Sequence, residues 1–180
     1  NRERFNILSV GRFDFPHKAF LIGLVKAYST IKDIYPNVSL TICGYGPSED
    51  VLMTELSLLS EKAREDVILI GKQSPESLRN IYKDANLNIS VAGCYSLGLR
   101  YGILSIPARH YNYSCEVYGF STDANRFAVS SVEGKPVIDY IEQVINMEEQ
   151  EYVDRCKCTF ESFTKDIDNE SRCLLNFNNL

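Results

Sequence analysis

The sequence predicts an α/β domain, a doubly wound parallel sheet flanked by helices, and three observations carry that prediction. Short apolar runs alternate with segments whose apolar residues recur every three or four positions. The connections between them are short, roughly two to six residues, so successive strands are bridged by helices and lie parallel. The chain has 180 residues and a hydrophobic content of 44%, which suits one domain with a full core.

Residues 7–10, Ile-Leu-Ser-Val, make the first strand, and Phe20, Leu24, Ala27, Tyr28, Ile31 and Ile34 share one face of the helix after it. Residues 38–43 are the second strand. The turn Gly44-Tyr45-Gly46-Pro47 leads into a helix whose inner face is Leu52, Leu56, Leu59 and Ala63. The third strand, residues 67–70, stops at Gly71. Ser74 then reads as an N-cap with Pro75 at the first helical position, and Leu78, Ile81, Tyr82 and Ala85 form the buried stripe. Residues 87–91 are the fourth strand. Right-handed crossovers place Val10, Cys43, Ile70 and Val91 along one edge of the sheet, where ligand loops gather.

Beyond this point the periodicity predicts a short helix over 97–105 and a fifth strand over 108–113, blurred by Pro107 and by Tyr111, Tyr113, Tyr118 and Phe120. Pro136 opens a helix with Val137, Ile141, Val144 and Ile145 inward, and Tyr152, Cys156, Phe160 and Phe163 mark another. The expected domain is 1–165. The Asn-rich tail 166–180 is expected to fray or to dock through Leu174, Leu175 and Phe177 on this domain or on an N-terminal one.

Composition removes several function classes. Net charge is -5, with 19 basic and 24 acidic side chains and no basic stripe, which argues against general nucleic-acid binding. No apolar run approaches the ~20 residues that cross a bilayer. The six cysteines include no C-x-x-C pair and only two histidines accompany them, so a structural zinc site is not expected and the thiols read as reduced. Sequons at Asn37, Asn88, Asn112 and Asn169 argue weakly for secretion, since Asn88 falls inside a buried strand. The opening residues, Asn1-Arg2-Glu3-Arg4, have no initiator Met and no apolar signal core, so the chain is expected to be a segment of a longer one.

The stretch from Ile7 to Lys18 carries the strongest chemical signal. It runs a buried strand through Gly11 into a loop with two cations, Arg12 and Lys18, and then into a helix. Strand ends and helix N-termini offer N–H groups to anions; a guanidinium adds a two-pronged grip and an ammonium adds a point charge. An ordinary loop carrying two basic residues is the bland alternative.

Taken together, Val-Gly-Arg followed by Lys18, then Leu-Thr-Ile-Cys-Gly-Tyr-Gly-Pro over 40–47, then Val-Ile-Leu-Ile-Gly-Lys over 67–72 and Ser-Pro-Glu-Ser-Leu-Arg over 74–79 resembles the C-terminal, nucleotide-sugar-binding half of family 4 glycosyltransferases of the GT-B fold, one Rossmann-like half of that architecture. The resemblance spans residues 7–91. It implies that Arg12 and Lys18 hold the donor diphosphate and act in catalysis, with Gly11 admitting the ligand to the backbone. It implies that Gly71, Lys72 and Gln73 frame the nucleotide base. For Gly44, Gly46 and Pro47 a tight turn is the favoured role. The implied reaction is glycosyl transfer from a nucleoside diphosphate sugar to an acceptor hydroxyl, with no cofactor and no metal, since cations from Arg and Lys can do what a metal does elsewhere. A general base would come from an N-terminal acceptor-binding domain of the same protein. The implied setting is surface polysaccharide synthesis in the cytoplasm, with peripheral membrane association of the full-length protein at the inner face.

The sequence departs from the family where two Glu residues separated by seven others are expected. Counting back from Pro107 puts Ala92 and Arg100 there; aligning Leu97-Gly98-Leu99 with the family's glycine-rich loop puts Tyr95 and Ile103 there. Neither register keeps a carboxylate. Two readings stay open. N–H groups from Gly93 through Ser96, Leu97 and Gly98 cradle the diphosphate, with Arg100 as a third cation, or the chain is a non-catalytic binding or interaction module. A dinucleotide oxidoreductase is disfavoured because no G-x-G-x-x-G follows the first strand. His17 and His110 have no partner visible in sequence, Glu116 has no secure counterpart in the family, and Glu148-Glu149-Gln150-Glu151 reads as a solvated helix start.

Overall fold

The computed structural model describes residues 4–120 and 133–177. Five parallel strands form the main sheet: β1 (Phe5–Arg12), β2 (Val38–Tyr45), β3 (Val67–Ile70), β4 (Leu87–Ser90) and β5 (Ser105–Pro107), in the order β3-β2-β1-β4-β5. Helix α1 (Phe20–Ile34) follows β1; α2 (Glu49–Ser57) and α3 (Glu61–Glu65) link β2 to β3. Helix α4 (Pro75–Lys83) precedes β4 and α5 (Ala92–Arg100) follows it. A small antiparallel pair, β6 (Glu116–Val117) with β7 (Lys135–Pro136), leads into α6 (Val137–Ile145) and α7 (Glu149–Phe177). The fold is the expected Rossmann-like α/β class.

The central strands are apolar on both faces because both are covered. One face carries Phe5, Ile7, Leu40, Ile42, Leu87 and Ile89, packed against α1, α2, α3 and α6. The other carries Leu8, Val10 and Cys43 against Tyr82 and Ala85, with Leu78 and Ile81 of α4, Cys94 and Leu97 of α5, and Tyr101 just after α5 around them. Thirty-odd buried apolar side chains of ~1.5–3 kcal/mol each are what hold the layers together.

Lys32 is the exception in that core. Its side chain is 2% exposed, and its ammonium donates to the carbonyls of Pro36 and Val38 (2.9 Å for the latter) and pairs with Asp66. Arg4 meets the same carboxylate at 2.6 Å. The end of α1 and the starts of β2 and β3 are thereby tied to one cation.

Three elements differ from the sequence expectation. The single helix expected over 52–63 is two, because the Ser60 hydroxyl accepts the Ala63 N–H (3.3 Å) and starts a new helix. Leu52, Leu56, Leu59 and Ala63 are all buried nonetheless, so the apolar spacing survives the break. The helix expected over 97–105 begins at Ala92 and ends at Arg100. Gly102, at φ +71°, closes it in a Schellman motif: Ile103 N–H donates to Gly98 C=O (2.9 Å) and Gly102 N–H to Leu99 C=O (3.0 Å). The fifth strand is therefore 105–107, ahead of the expected 108–113.

Candidate functional site

Neighbouring strands β1 and β4 send their following helices, α1 and α5, to opposite faces of the sheet. A crevice opens where such connections diverge, at the carboxyl ends of the strands. Its walls are the loop from Arg12 to Ala19 and the junction of Val91 with α5.

The register brings the loop residues to one level. Gly11 pairs with Gly44, and Val10 with Cys43, which in turn pairs with Ile70. Gly11, Gly71 and Gly93 have nothing within 4 Å of where a Cβ would stand, so backbone is open to a ligand at three places around this edge. Gly44 and Gly46 serve the fold instead. A Cβ there would lie 1.8 Å from Gly11 O and 2.2 Å from Phe13 O respectively. The β1 and β2 loops close on one another, with Phe13 N–H on Tyr45 C=O (2.9 Å) and Ser48 N–H on Phe13 C=O (3.0 Å), and only glycine fits between.

Arg12 is exposed at the end of β1. Lys18 is half-buried just before α1, and its N–H donates to Asp14 C=O (2.8 Å). Burial pulls the Lys18 ammonium below its ordinary pKa, against the influence of Cys94 and Asp14. Across the crevice, at the end of the neighbouring strand β4, is the first turn of α5. There the N–H groups of Ala92, Gly93 and Cys94 have no acceptor within the helix. The turn is held from beneath: the Cys94 carbonyl accepts the Tyr82 hydroxyl (2.6 Å) and the Asn88 amide (3.4 Å). Burial raises the Tyr82 pKa, so the hydroxyl stays a donor at neutral pH. Ala92 sits at φ +48°, a left-handed conformation that costs an L residue on the order of 1–3 kcal/mol and is concentrated at ligand sites.

On the β3 side, Gly71 is followed by Lys72, whose ammonium lies 5.3 Å from the centre of the Tyr45 ring, and by Gln73, whose amide donates to Gly71 C=O (3.3 Å). The three residues lie at the same sheet edge as Arg12, two strands away.

Four residues expected at an anion cradle stand elsewhere. Because α5 starts at Ala92, Ser96, Leu97 and Gly98 lie beyond its first turn, where N–H groups are spent on the helix itself. Gly98 is a packing glycine, its Cβ position 2.2 Å from Ser105 Oγ and 2.4 Å from Asn88 Nδ2. Arg100 ends α5, eight residues and roughly 12 Å down the axis from its mouth at 1.5 Å per residue. Of that group only Gly93 is at the crevice. The structure also separates the two registers for the missing carboxylates. Tyr95 is buried and Ile103 packs into the second core cluster, whereas Ala92 and Arg100 are exposed.

One grouping was not legible in the sequence. The His17 and His110 rings are stacked, centroids 4.5 Å apart and 13° from parallel, and Tyr111 lies 5.0 Å from His17. His110 Nδ1 is buried without a hydrogen-bond partner. Burial, then the charges of Lys18 and His17, lower the His110 pKa. Placing the fifth strand correctly would have exposed the pair, since the loop after β5 then falls beside the β1 loop.

Among the described residues, no group of three or more His, Cys, Asp or Glu is arranged to hold a metal ion, and no helix is long and apolar enough to cross a membrane.

Solved structures share this fold at low sequence identity. The E. coli trehalose-6-phosphate structure with UDP-2-fluoro glucose bound is 14% identical, with a TM-score of 0.66 over 97% of this chain and 44% of that one. S. aureus TarM in complex with Fondaparinux, alpha-GlcNAc-glycerol and UDP is 12% identical, with a TM-score of 0.71 over 98% and 35%. The catalytic domain of cholesterol-alpha-glucosyltransferase from Helicobacter pylori is 15% identical, with a TM-score of 0.57 over 89% and 99%. The chain thus spans less than half the length of the first two. No curated protein matches it. The family described as glycosyl transferases group 1 matches residues 1–96, more than half of the chain and the whole stretch from β1 to the mouth of α5. The chain belongs to the glycosyl transferases group 1 family.

Proposed function

We propose that this chain is the donor-binding half of a two-domain glycosyltransferase, and that the crevice between β1 and β4 binds the diphosphate of a nucleoside diphosphate sugar. The observation that carries this reading is the grouping at that edge. Arg12 and Lys18, three glycines with open space before them and the free N–H groups of the first turn of α5 lie around one switch point. Gly71, Lys72 and Gln73 stand on the side where the base would lie. UDP and a UDP sugar in the TarM and E. coli structures are ligands of the same chemical class.

In the transfer, the bond between the anomeric carbon and the β-phosphate oxygen breaks and the electron pair leaves on the diphosphate, while an acceptor hydroxyl supplies the new oxygen. What this half contributes is charge stabilisation on the leaving group. The Arg12 guanidinium, the Lys18 ammonium and the fixed dipoles at Ala92, Gly93 and Cys94 are preorganised for it, an effect that reaches several kcal/mol in dry sites. These cations take the part a metal plays elsewhere, so no metal is required. The acceptor and its general base belong to an N-terminal domain. Surface polysaccharide is the proposed product class.

Titrating the chain with UDP, GDP and ADP sugars by calorimetry tests the reading. Binding of one of them, weakened at least tenfold by Arg12→Ala or Lys18→Ala, is expected; a folded chain that binds none contradicts it.

A second reading is favoured by the missing carboxylate pair, absent in both registers, Ala92 with Arg100 and Tyr95 with Ile103. It makes the chain a non-catalytic interaction module. Transferase activity of the full-length protein that survives Arg12→Ala and Lys18→Ala together would decide for it.

A further inference from the structure

The loop after β5 grips the β1 loop at one point. Tyr111, in a left-handed conformation at φ +57°, donates its N–H to His17 C=O (3.1 Å), and its ring lies against the His17 ring. His110 covers the His17 imidazole in a near-parallel stack. The peptide held in this way is the one that joins His17 to Lys18.

The gripping loop is itself fixed. Arg109 pairs with Glu116 at 2.5 Å, and the Asn112 side chain accepts the N–H groups of Ser114 (3.1 Å) and Glu116 (2.8 Å). Below it, α1 approaches so closely at Gly23 that a Cβ would lie 2.4 Å from Cys115 N. His110 therefore stands on a rigid support. Lys18 is tied within its own loop by its N–H on Asp14 C=O (2.8 Å) and by the Leu21 N–H on its C=O (3.1 Å), and the peptide between His17 and Lys18 is the point at which the β5 loop adds to these ties.

We propose that His110 is a positioning residue for the anion-binding lysine: its ring, stacked on His17, fixes the backbone from which Lys18 reaches the mouth of α5. The inference rests on the donor-site reading above and adds to it a residue on a different loop, outside the segment matched by the family. The flat face is the feature to which the role is assigned. Phenylalanine keeps the face; alanine and leucine remove it.

The test uses the full chain and four probes, inorganic pyrophosphate, UDP, GDP and ADP, by calorimetry, together with the Lys18 backbone amide shift in the ligand-free protein. His110→Ala and His110→Leu are expected to weaken the bound probe roughly fivefold, within the range for coupled neighbours, and to move the Lys18 amide. His110→Phe is expected to restore both to the wild-type values within about twofold for affinity. Leucine, of similar bulk, keeps the test readable if the alanine variant melts. Wild-type binding with unchanged affinity in the alanine and leucine variants, or an unmoved Lys18 amide, overturns the positioning role alone. A folded wild-type chain that binds none of the four probes overturns the donor-site reading, and the positioning role with it.

Discussion

At the scale of single residues, glycines divide the molecule into what the fold requires and what a ligand would use. Gly44→Ala and Gly46→Ala push a methyl into the Gly11 and Phe13 carbonyls, so each is expected to cost about 3 kcal/mol or more, read by urea unfolding. Gly93→Ala meets open space in the first turn of a helix and is expected to change stability by less than about 1 kcal/mol, while lowering nucleotide affinity. A Gly93→Ala variant that binds as wild type would remove that turn from the site. The division was half legible beforehand. A Gly-Tyr-Gly-Pro turn after a strand points to tight geometry, and the two carbonyls that enforce it come from another loop. Gly98 shows the limit: its neighbours Asn88 and Ser105 are ten and seven residues away, and nothing local marks it as a packing position.

Elements were legible wherever an apolar stripe and its punctuation agreed. Ser74 caps α4 as its sequence predicts, accepting the Ser77 N–H at 3.2 Å. The α5 region failed because Gly93, Gly98 and Gly102 dilute the helical signal, although Gly102 was the mark of its end. Lys32 was likewise invisible as a core residue, since only the fold shows that Asp66 and two carbonyls meet it. Lys32→Met is expected to cost about 2 kcal/mol, below the 3–5 of a fully buried pair, because Asp66 keeps Arg4 and partial solvent contact. The hydrogen bond from Lys32, chiefly, holds the Asp66 carboxyl below its ordinary pKa. A depressed carboxylate stabilises the fold above its unfolded pKa and loses that contribution as pH falls through the folded value. The stability gap between wild type and Asp66→Asn is therefore expected to be full at pH 7 and to close on acidification below about pH 4. A gap that is constant with pH would show that the charge of Asp66 contributes nothing.

For the molecule as a whole, the alternation of strands and helices was enough to fix the parallel sheet and to name the edge where ligands gather. What the alternation does not carry is which loops face each other across that edge, and this decides the site. Arg12 and Lys18 follow β1 and Gly93 follows β4, its neighbour in the sheet, which is why the proposed site groups them; Arg100 is left behind because α5 starts eight residues earlier. The pairing of His17 with His110 depends on the placement of β5, the one strand misread. The central claim is that a nucleoside diphosphate occupies the switch point between β1 and β4. Mapping backbone amide shifts on titration with UDP, GDP and ADP in turn tests it most directly. The account predicts that one of them moves the amides of Gly11 to Lys18, Gly71 to Gln73 and Ala92 to Cys94 and leaves those of α2 and α3 in place. Shifts centred on α2 and α3, or none with any of the three, would contradict it.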